Sequence, residues 1–336
     1  MISLFSWRSA PRLAFDVGTA NLRVISSEGG ILFDEPSICC FDADDYNAAL
    51  VAAGANALPM ADRTPPKLRI GRPLRRGVLQ DLAAARALLR YAGECVGVRG
   101  RISAQSTLIG VPADATQAER RALITAARDA NLGAVQLVSE PVVAAIGAGL
   151  PIMEATGCML VECGAGTTEV VVISLGGVCV SRTVRVGGNS LDQSLADFLH
   201  FRHKFLIGEQ SAERLKLKLE LADEPVTGSG ANCDIQVRGR SIEAGLPTVL
   251  TLPRQAFDDV LVKHFTVIVE AVVDTLNETP PELSHDILER GIILTGGSAP
   301  FPLLSTMLAK ATGLDVMIAD DSRYCVARGL QALLVG

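Results

Sequence analysis

The chain alternates short apolar runs with glycine-bearing turns, and two of these passages match each other. Residues 13–30 read LAFDVGTANLRVISSEGG, and residues 159–177 read MLVECGAGTTEVVVISLGG. Each is an apolar strand, an acidic residue, a tight Gly/Thr turn, a β-branched strand ending in Ile-Ser, and a Gly-Gly turn. The second copy spends two more residues on its turn. Apolar runs that enter and leave a glycine turn predict β-hairpins. Two such hairpins, 146 residues apart at their acidic positions, predict homologous halves facing each other.

The rest of the pattern fits an α/β plan. A strand at 108–111 is closed by Pro112. Thr116 and Glu119 are spaced as a capping box opening a helix that runs to about Ala130 and ends at Asn131-Leu132-Gly133. A strand at 135–138 leads through Ser139-Glu140-Pro141 into a helix of small residues, where Pro141 suits a helix start. Residues 211–222 place Leu on one side of a helix and charges on the other. Near the end, a buried strand runs into Gly296-Gly297, followed by an apolar helix from Leu303. Residues 41–75 and 223–247 read as irregular insertions, so each half carries a core sheet and a smaller lobe. The division expected is 1–148 (core about 10–38 and 76–148, insertion 39–75) and 149–336 (core about 149–182 and 248–336, insertion 183–247).

Composition narrows the function. The 336 residues are 49% hydrophobic and 20% charged, with 31 basic against 37 acidic side chains. A net charge of −6 argues against a nucleic-acid partner. Mean hydropathy is high at +0.32, yet no run reaches the roughly 18 apolar residues of a spanning helix. The excess must lie in buried elements, subunit contacts or a shallow membrane contact. The start of the chain lacks a secretory signal pattern, and eight cysteines without metal-ligand spacing fit a reducing compartment.

The turns carry the candidate chemistry. Glycines let backbone N–H groups converge on an anion, and Thr or Asn side chains add donors. An acidic residue at the mouth of each turn, Asp16 and Glu162, would repel phosphate unless a divalent cation lay between, which points to a metal–nucleotide complex. The plainer reading, two capped hairpin turns, would suffice for one copy. Glu140 lies at a strand-to-helix junction where ligands of open α/β sheets gather; otherwise it is a charge complementing the helix dipole. Glu213 and Lys216 share a helix face, as a solvated salt pair would.

These passages resemble the actin/heat-shock chaperone/sugar-kinase ATPase superfamily and, within it, the bacterial MreB family. DVGTAN at 16–21, SEPVVAAIGAGLP at 139–151, GAGTTEVVVISLGG at 164–177, IGEQSAERLK at 207–216 and LTGGSA at 294–299 are similar to MreB runs and cover the chain nearly end to end. The resemblance implies an actin-like, duplicated ribonuclease H-like fold, with ATP and Mg²⁺ in a cleft between two domains. By position it assigns metal waters to Asp16, Glu162 and Asp192. It assigns phosphate contacts to Gly18, Thr19, Ala20 and Asn21, and to Gly164, Ala165, Gly166 and Thr167. Gly187 and Gly188 border the γ-phosphate. Glu213, Arg214, Leu215 and Lys216 reach the ribose and adenine, and Gly296, Gly297, Ser298 and Ala299 pack the nucleoside. Glu140 and Thr167 position the attacking water. It also implies self-assembly into filaments at the inner face of the cytoplasmic membrane, with membrane proteins of the cell-shape machinery as partners in wall synthesis and rod shape.

Two departures from the family pattern stand in the second turn. Glu162 replaces Asp, adding a methylene, and Ala165 replaces the middle Gly, losing access to φ > 0. Together they predict slow or impaired hydrolysis with binding retained. The alternatives are a hydrolysis-deficient scaffold of the same family and a small-molecule kinase of this fold, for which the insertions are small. At the amino terminus, Leu4, Phe5 and Trp7 fall on one helical arc with Ser3 and Ser6 opposite, a pattern suited to a lipid interface or to a plain tail.

Overall fold

The computed structural model describes residues 12–45, 49–97, 106–222 and 234–335; Leu4, Phe5 and Trp7 lie outside these. In the first half, β1 (Leu13–Val17) and β2 (Asn21–Ser26) form the first hairpin, and β3 (Gly30–Pro36) continues the meander. A small lobe follows: β4 (Cys39–Asp42), β5 (Leu50–Ala53) and β6 (Leu68–Gly71) form one sheet, and β7 (Leu74–Arg75) and β8 (Val78–Leu79) a ribbon. Then come α1 (Leu82–Cys95), β9 (Ser106–Val111), α2 (Gln117–Asp129), β10 (Ala134–Ser139) and α3 (Glu140–Gly147).

The second half opens with the meander β11 (Cys158–Cys163), β12 (Thr168–Ser174) and β13 (Gly177–Val184). It continues through α4 (Gly188–His203), β14 (Phe205–Leu206), α5 (Glu209–Ala222), β15 (Asp234–Ser241) and β16 (Pro247–Pro253), whose three strands form a second small sheet. The long α6 (Asp258–Glu278), α7 (Pro281–Arg290), β17 (Ile292–Thr295), α8 (Pro302–Thr312), β18 (Val316–Ile318) and α9 (Cys325–Val335) complete it.

The duplication is visible in the pairing. One main sheet runs β10-β9-β1-β2-β3 and the other β18-β17-β11-β12-β13. In each, a hairpin meander is antiparallel and two further strands join in parallel through helical crossovers. The two glycine turns have equal length, since Val17 pairs with Leu22 and Cys163 with Thr168. The extra residues of the second copy therefore extend the returning strand and not the turn, a correction to the sequence reading.

Period-two alternation decides what each strand face meets. In the first sheet Phe15, Val17, Leu22 and Val24 point outward into a core shared with α1 and α2. In the second, Met159, Val161, Val170 and Val172 point outward to α4, α5, α6 and α8. The inward positions Ala14, Ile25, Leu160, Val171 and Ile173 share one core with α3 and α9, which lie between the sheets. Asp16 and Glu162 stand in the inward series of their strands, so both face the space between the halves. The middle helices cross at glycines: a methyl on Gly147 would overlap the Cys325 carbonyl, and one on Gly329 the Val143 carbonyl. α9 thereby ties the end of the chain to α3, and Glu140 sits at the first turn of α3.

Local signals are used as the sequence implies. Thr116 Oγ1 accepts from the Glu119 N–H at 3.2 Å, and Glu119 Oε2 accepts from the Thr116 N–H at 2.7 Å, so the capping box is complete. Helix α2 then stops with Asn131 and Gly133 in left-handed conformations. Helices α1, α4, α6, α7 and α9 have no counterpart in the sequence reading, and α4 shows what was missed. Its signal was Leu191, Leu195 and Leu199 at four-residue spacing, all buried.

Candidate functional site

The two glycine turns meet across the gap between the sheets. Each is closed by one backbone bond: the Gly18 N–H donates to Asn21 O at 3.0 Å, and the Gly164 N–H donates to Thr167 O at 2.9 Å. A Cβ on Gly166 would overlap Thr19 Oγ1 and come within 2.6 Å of the Gly77 nitrogen. Glycine is therefore required at 166 by the approach of the opposite half. Ala165 is not among the residues with positive φ, so the alanine carries no backbone strain. That removes the conformational reason for expecting Ala165 to impair the site.

Behind the second turn, the start of α4 supplies donors. The Gly188 N–H bonds Gly164 O at 3.0 Å and the Asn189 N–H bonds Ala165 O at 2.8 Å, leaving little room for a side chain at Gly187. The third turn is pinned reciprocally. The Gly296 N–H donates to Ser322 O at 2.9 Å, Ser322 Oγ donates to Gly296 O at 3.1 Å, and the Ser298 N–H donates to Cys163 O at 3.0 Å.

Together these elements line a cleft open to solvent, with about 850 Å³ of space counting its mouth. Its walls include Asp16, Gly18 to Asn21, Glu140, Glu162, Gly164 to Thr167, Gly296 and Gly297. A neighbouring cluster forms on the α4–α5 side. There Lys216 Nζ donates to Asp192 Oδ2 at 2.9 Å and to Gly188 O at 3.3 Å, and Ser298 Oγ also lies near Gly188. Burial raises the Asp192 pKa to about 6 against the pull of Lys216, and Glu213, exposed on α5, adds to the rise. Three assigned residues turn elsewhere. Leu215 and Ala299 pack into the outer core of the second half, and Arg214 lines a separate basic cavity with Lys218 and Arg238. Across the cleft mouth, the Glu209 N–H donates to Asp62 Oδ2 at 2.8 Å and Gln210 Nε2 to Leu58 O at 2.7 Å. The first half's small lobe thus caps α5.

The cleft is strongly acidic. Burial, then Glu162, Asp16 and Glu169, push the Glu140 carboxyl well above its ordinary value. Burial, then Glu169 and Asp16, do the same to Glu162. Asp16 is also raised by burial, against the opposing pull of Arg23. Glu162 Oε2 is buried without a hydrogen-bond partner, an acceptor that a cation or proton would satisfy. Among the described residues no three side chains converge to chelate a metal directly. A hydrated divalent ion beside Glu162 and Glu140 fits this donor set. Asp16, paired to Arg23 at 2.8 Å, fits it less well, whereas Asp192 is paired to Lys216 at 2.9 Å through Oδ2 and keeps Oδ1 buried without a partner.

Arg23 and Glu169 are among the cleft-wall residues not picked out from sequence. Arg23 lies directly opposite Asp16 in the β1–β2 register, and Glu169 directly opposite Glu162 in β11–β12. The signal was present: in both copies the partner follows the acidic residue by the same seven positions. Glu169 also reaches the other half, accepting the Ala113 N–H at 2.8 Å.

A family profile for MreB/Mbl protein matches residues 10–335. The chain belongs to the MreB/Mbl family. It is 39% identical over 332 residues to the cell shape-determining protein MreB of Escherichia coli K12, covering 98% of this chain and 94% of that protein. It is 35% identical over 322 residues to the cell shape-determining protein Mbl of Bacillus subtilis 168, covering 96% and 95%. Its structure is similar to the crystal structure of MreB5 of Spiroplasma citri bound to ADP, with a TM-score of 0.86, 30% identity and coverage of 95% and 94%. The double helical filament of MamK matches with a TM-score of 0.77 at 23% identity, over 96% of this chain and 98% of that one, a likeness of fold. The fold is actin-like.

Proposed function

We propose that this MreB/Mbl chain binds ATP with Mg²⁺ between its halves, divided near residue 148, and polymerises into filaments at the inner face of the cytoplasmic membrane. There it organises wall synthesis and rod shape with membrane proteins of the cell-shape machinery. The observation that carries the reading is the pair of equal-length acidic glycine turns facing each other across one cleft. Support comes from MreB5 of Spiroplasma citri, solved with ADP and with AMPPNP at 30% identity, and from the relatives named as cell shape-determining.

In this reading the backbone N–H groups of 19–21 and 165–167 grip the phosphates, and Glu162 and Glu140 would hold the waters of a metal whose charge offsets theirs. Such an ion would polarise the phosphate and lower the cost of bringing it among carboxylates. Glu140 and Thr167 orient the attacking water, which must stand in line with the bond that breaks. Burial and the neighbouring carboxylates raise the Glu140 pKa, and a divalent ion beside it would favour its ionised form. Glu162 is longer than the Asp of the family pattern and ends in an unpartnered oxygen, so turnover is slow while binding persists.

No helix among the described residues is long and apolar enough to cross a membrane. Contact with lipid is assigned to Leu4, Phe5 and Trp7 on the interfacial arc. The test is ATP-dependent pelleting with and without anionic liposomes, imaged by electron microscopy, for the full chain and for a chain lacking residues 2–8. Filaments that pellet with ATP, and that join liposomes only when residues 2–8 are present, are expected. Failure to pellet or to bind nucleotide overturns the polymer reading, and unchanged liposome sedimentation of the shortened chain overturns the membrane assignment.

A further inference from the structure

The acidic residues of the two halves have cross-strand partners of opposite charge although the halves share one plan. In the second half the residue paired with Glu162 in register is Glu169, a like charge. In the first half the residue paired with Asp16 is Arg23, an opposite charge. The register fixes this contact, because cross-strand neighbours on one face stand about 5 Å apart whatever occupies the cleft. The guanidinium is held from three sides. Its Nη1 donates to Asp16 Oδ2 at 2.8 Å, its Nε lies 3.2 Å from Asp34 Oδ1, and its carbon sits 5.0 Å from the centre of the Tyr324 ring, contributed by the second half. The side chain is only 15% exposed and lines the cleft.

We propose that Arg23 is a further nucleotide-site residue, a resident cation that occupies Asp16 in place of metal waters and makes polyphosphate binding less dependent on a divalent cation. The proposal rests on the nucleotide reading of the cleft. Asp16, Glu140, Glu162 and Glu169 all line the same space, and a polyphosphate entering it adds charge of the same sign. A buried guanidinium beside Asp16 offsets part of that repulsion without any metal. Arg has five N–H donors in a planar fork. Two face Asp16 and Asp34, and the fork stands in the wall of the cleft that a phosphate would enter. The metal requirement then falls on the Glu140 and Glu162 side alone.

The experiment measures ATP binding by calorimetry for the full-length protein, Arg23→Gln and Arg23→Lys, each in Mg²⁺ and in EDTA, with circular dichroism melts to establish folding. For the unaltered chain, chelation should weaken binding by no more than about tenfold; for Arg23→Gln it should weaken binding by about 100-fold. Arg23→Lys keeps the charge but loses the fork, and is expected between the two. If Arg23→Gln does not fold, the ratio for Arg23→Lys against the unaltered chain decides. Equal sensitivity to chelation in the unaltered and substituted proteins overturns the proposal. Absence of ATP binding by the unaltered protein in both solutions overturns the nucleotide reading itself, and the proposal with it.

Discussion

Replacing Glu169 by Gln should stabilise the protein at alkaline pH and leave it unchanged in mild acid. Glu169 is 3% exposed, and burial raises its carboxyl pKa from 4.5 to about 7, with Asp114 adding to the rise. The Ala113 N–H, Thr183 and Arg185 pull the other way without cancelling it. Because the folded pKa lies above the unfolded one, the folded chain holds a proton between these values that the unfolded chain has released. This contribution is therefore fully present below pH 4.5 and is lost as pH rises through about 7. At about 1.4 kcal/mol per pKa unit, the ionised carboxylate costs about 3 kcal/mol at pH 8. Gln keeps an Oε1 to accept the Ala113 N–H, at 2.8 Å in the parent, and the Thr183 hydroxyl, at 3.3 Å, but has no proton to lose. Urea denaturation of both proteins from about pH 4 to about pH 8 checks this. The stability curves should meet near the acid end and separate by up to about 3 kcal/mol at the other. Parallel curves, or a less stable Gln variant at the alkaline end, would refute the claim that Glu169 is a buried, strained carboxylate tying the two halves.

Two further substitutions test the site and its scaffold. Glu162→Asp should raise the rate of phosphate release by about tenfold by withdrawing the carboxylate one methylene, whereas Ala165→Gly should change it little, because Ala165 has an unstrained backbone. A phosphate-release assay in which the two variants reverse roles would contradict this account of slow turnover. Gly329→Ala should destabilise the fold by about 1–3 kcal/mol, since the added methyl overlaps the Val143 carbonyl at the α3–α9 crossing. Helix propensity alone predicts a gain of about 1 kcal/mol, so the sign of the change in a denaturation midpoint separates the two effects.

Much of the site was legible from sequence because its signals are local. A glycine turn after an apolar strand, a capping Thr three residues before Glu119, and alternation along β1 and β11 are each set by nearest neighbours. They sufficed to place Asp16, Gly18 to Asn21, Glu140, Glu162 and Gly164 to Thr167 at the ends of defined elements, and the resemblance to MreB supplied the fold. Local signals also mislead where a residue has two faces to choose from. Arg214 and Leu215 share the helix of Glu213 and Lys216, but the 3.6-residue turn carries them to a basic cavity and to the core.

What the sequence determined by itself was the duplicated plan: which positions along each strand are inward, which turns need glycine, and where the acidic residues fall in each copy. The tertiary structure alone decided which of these residues share a space. Whether the partner of an acidic side chain is Arg23 or Glu169 follows from hairpin register. The convergence of four carboxylates on one cleft, and the tie from Ala113 to Glu169, follow from packing both sheets against α3 and α9. Those contacts join positions up to more than a hundred residues apart, and the hydrophobic burial that brings them together depends on area and not on sequence order.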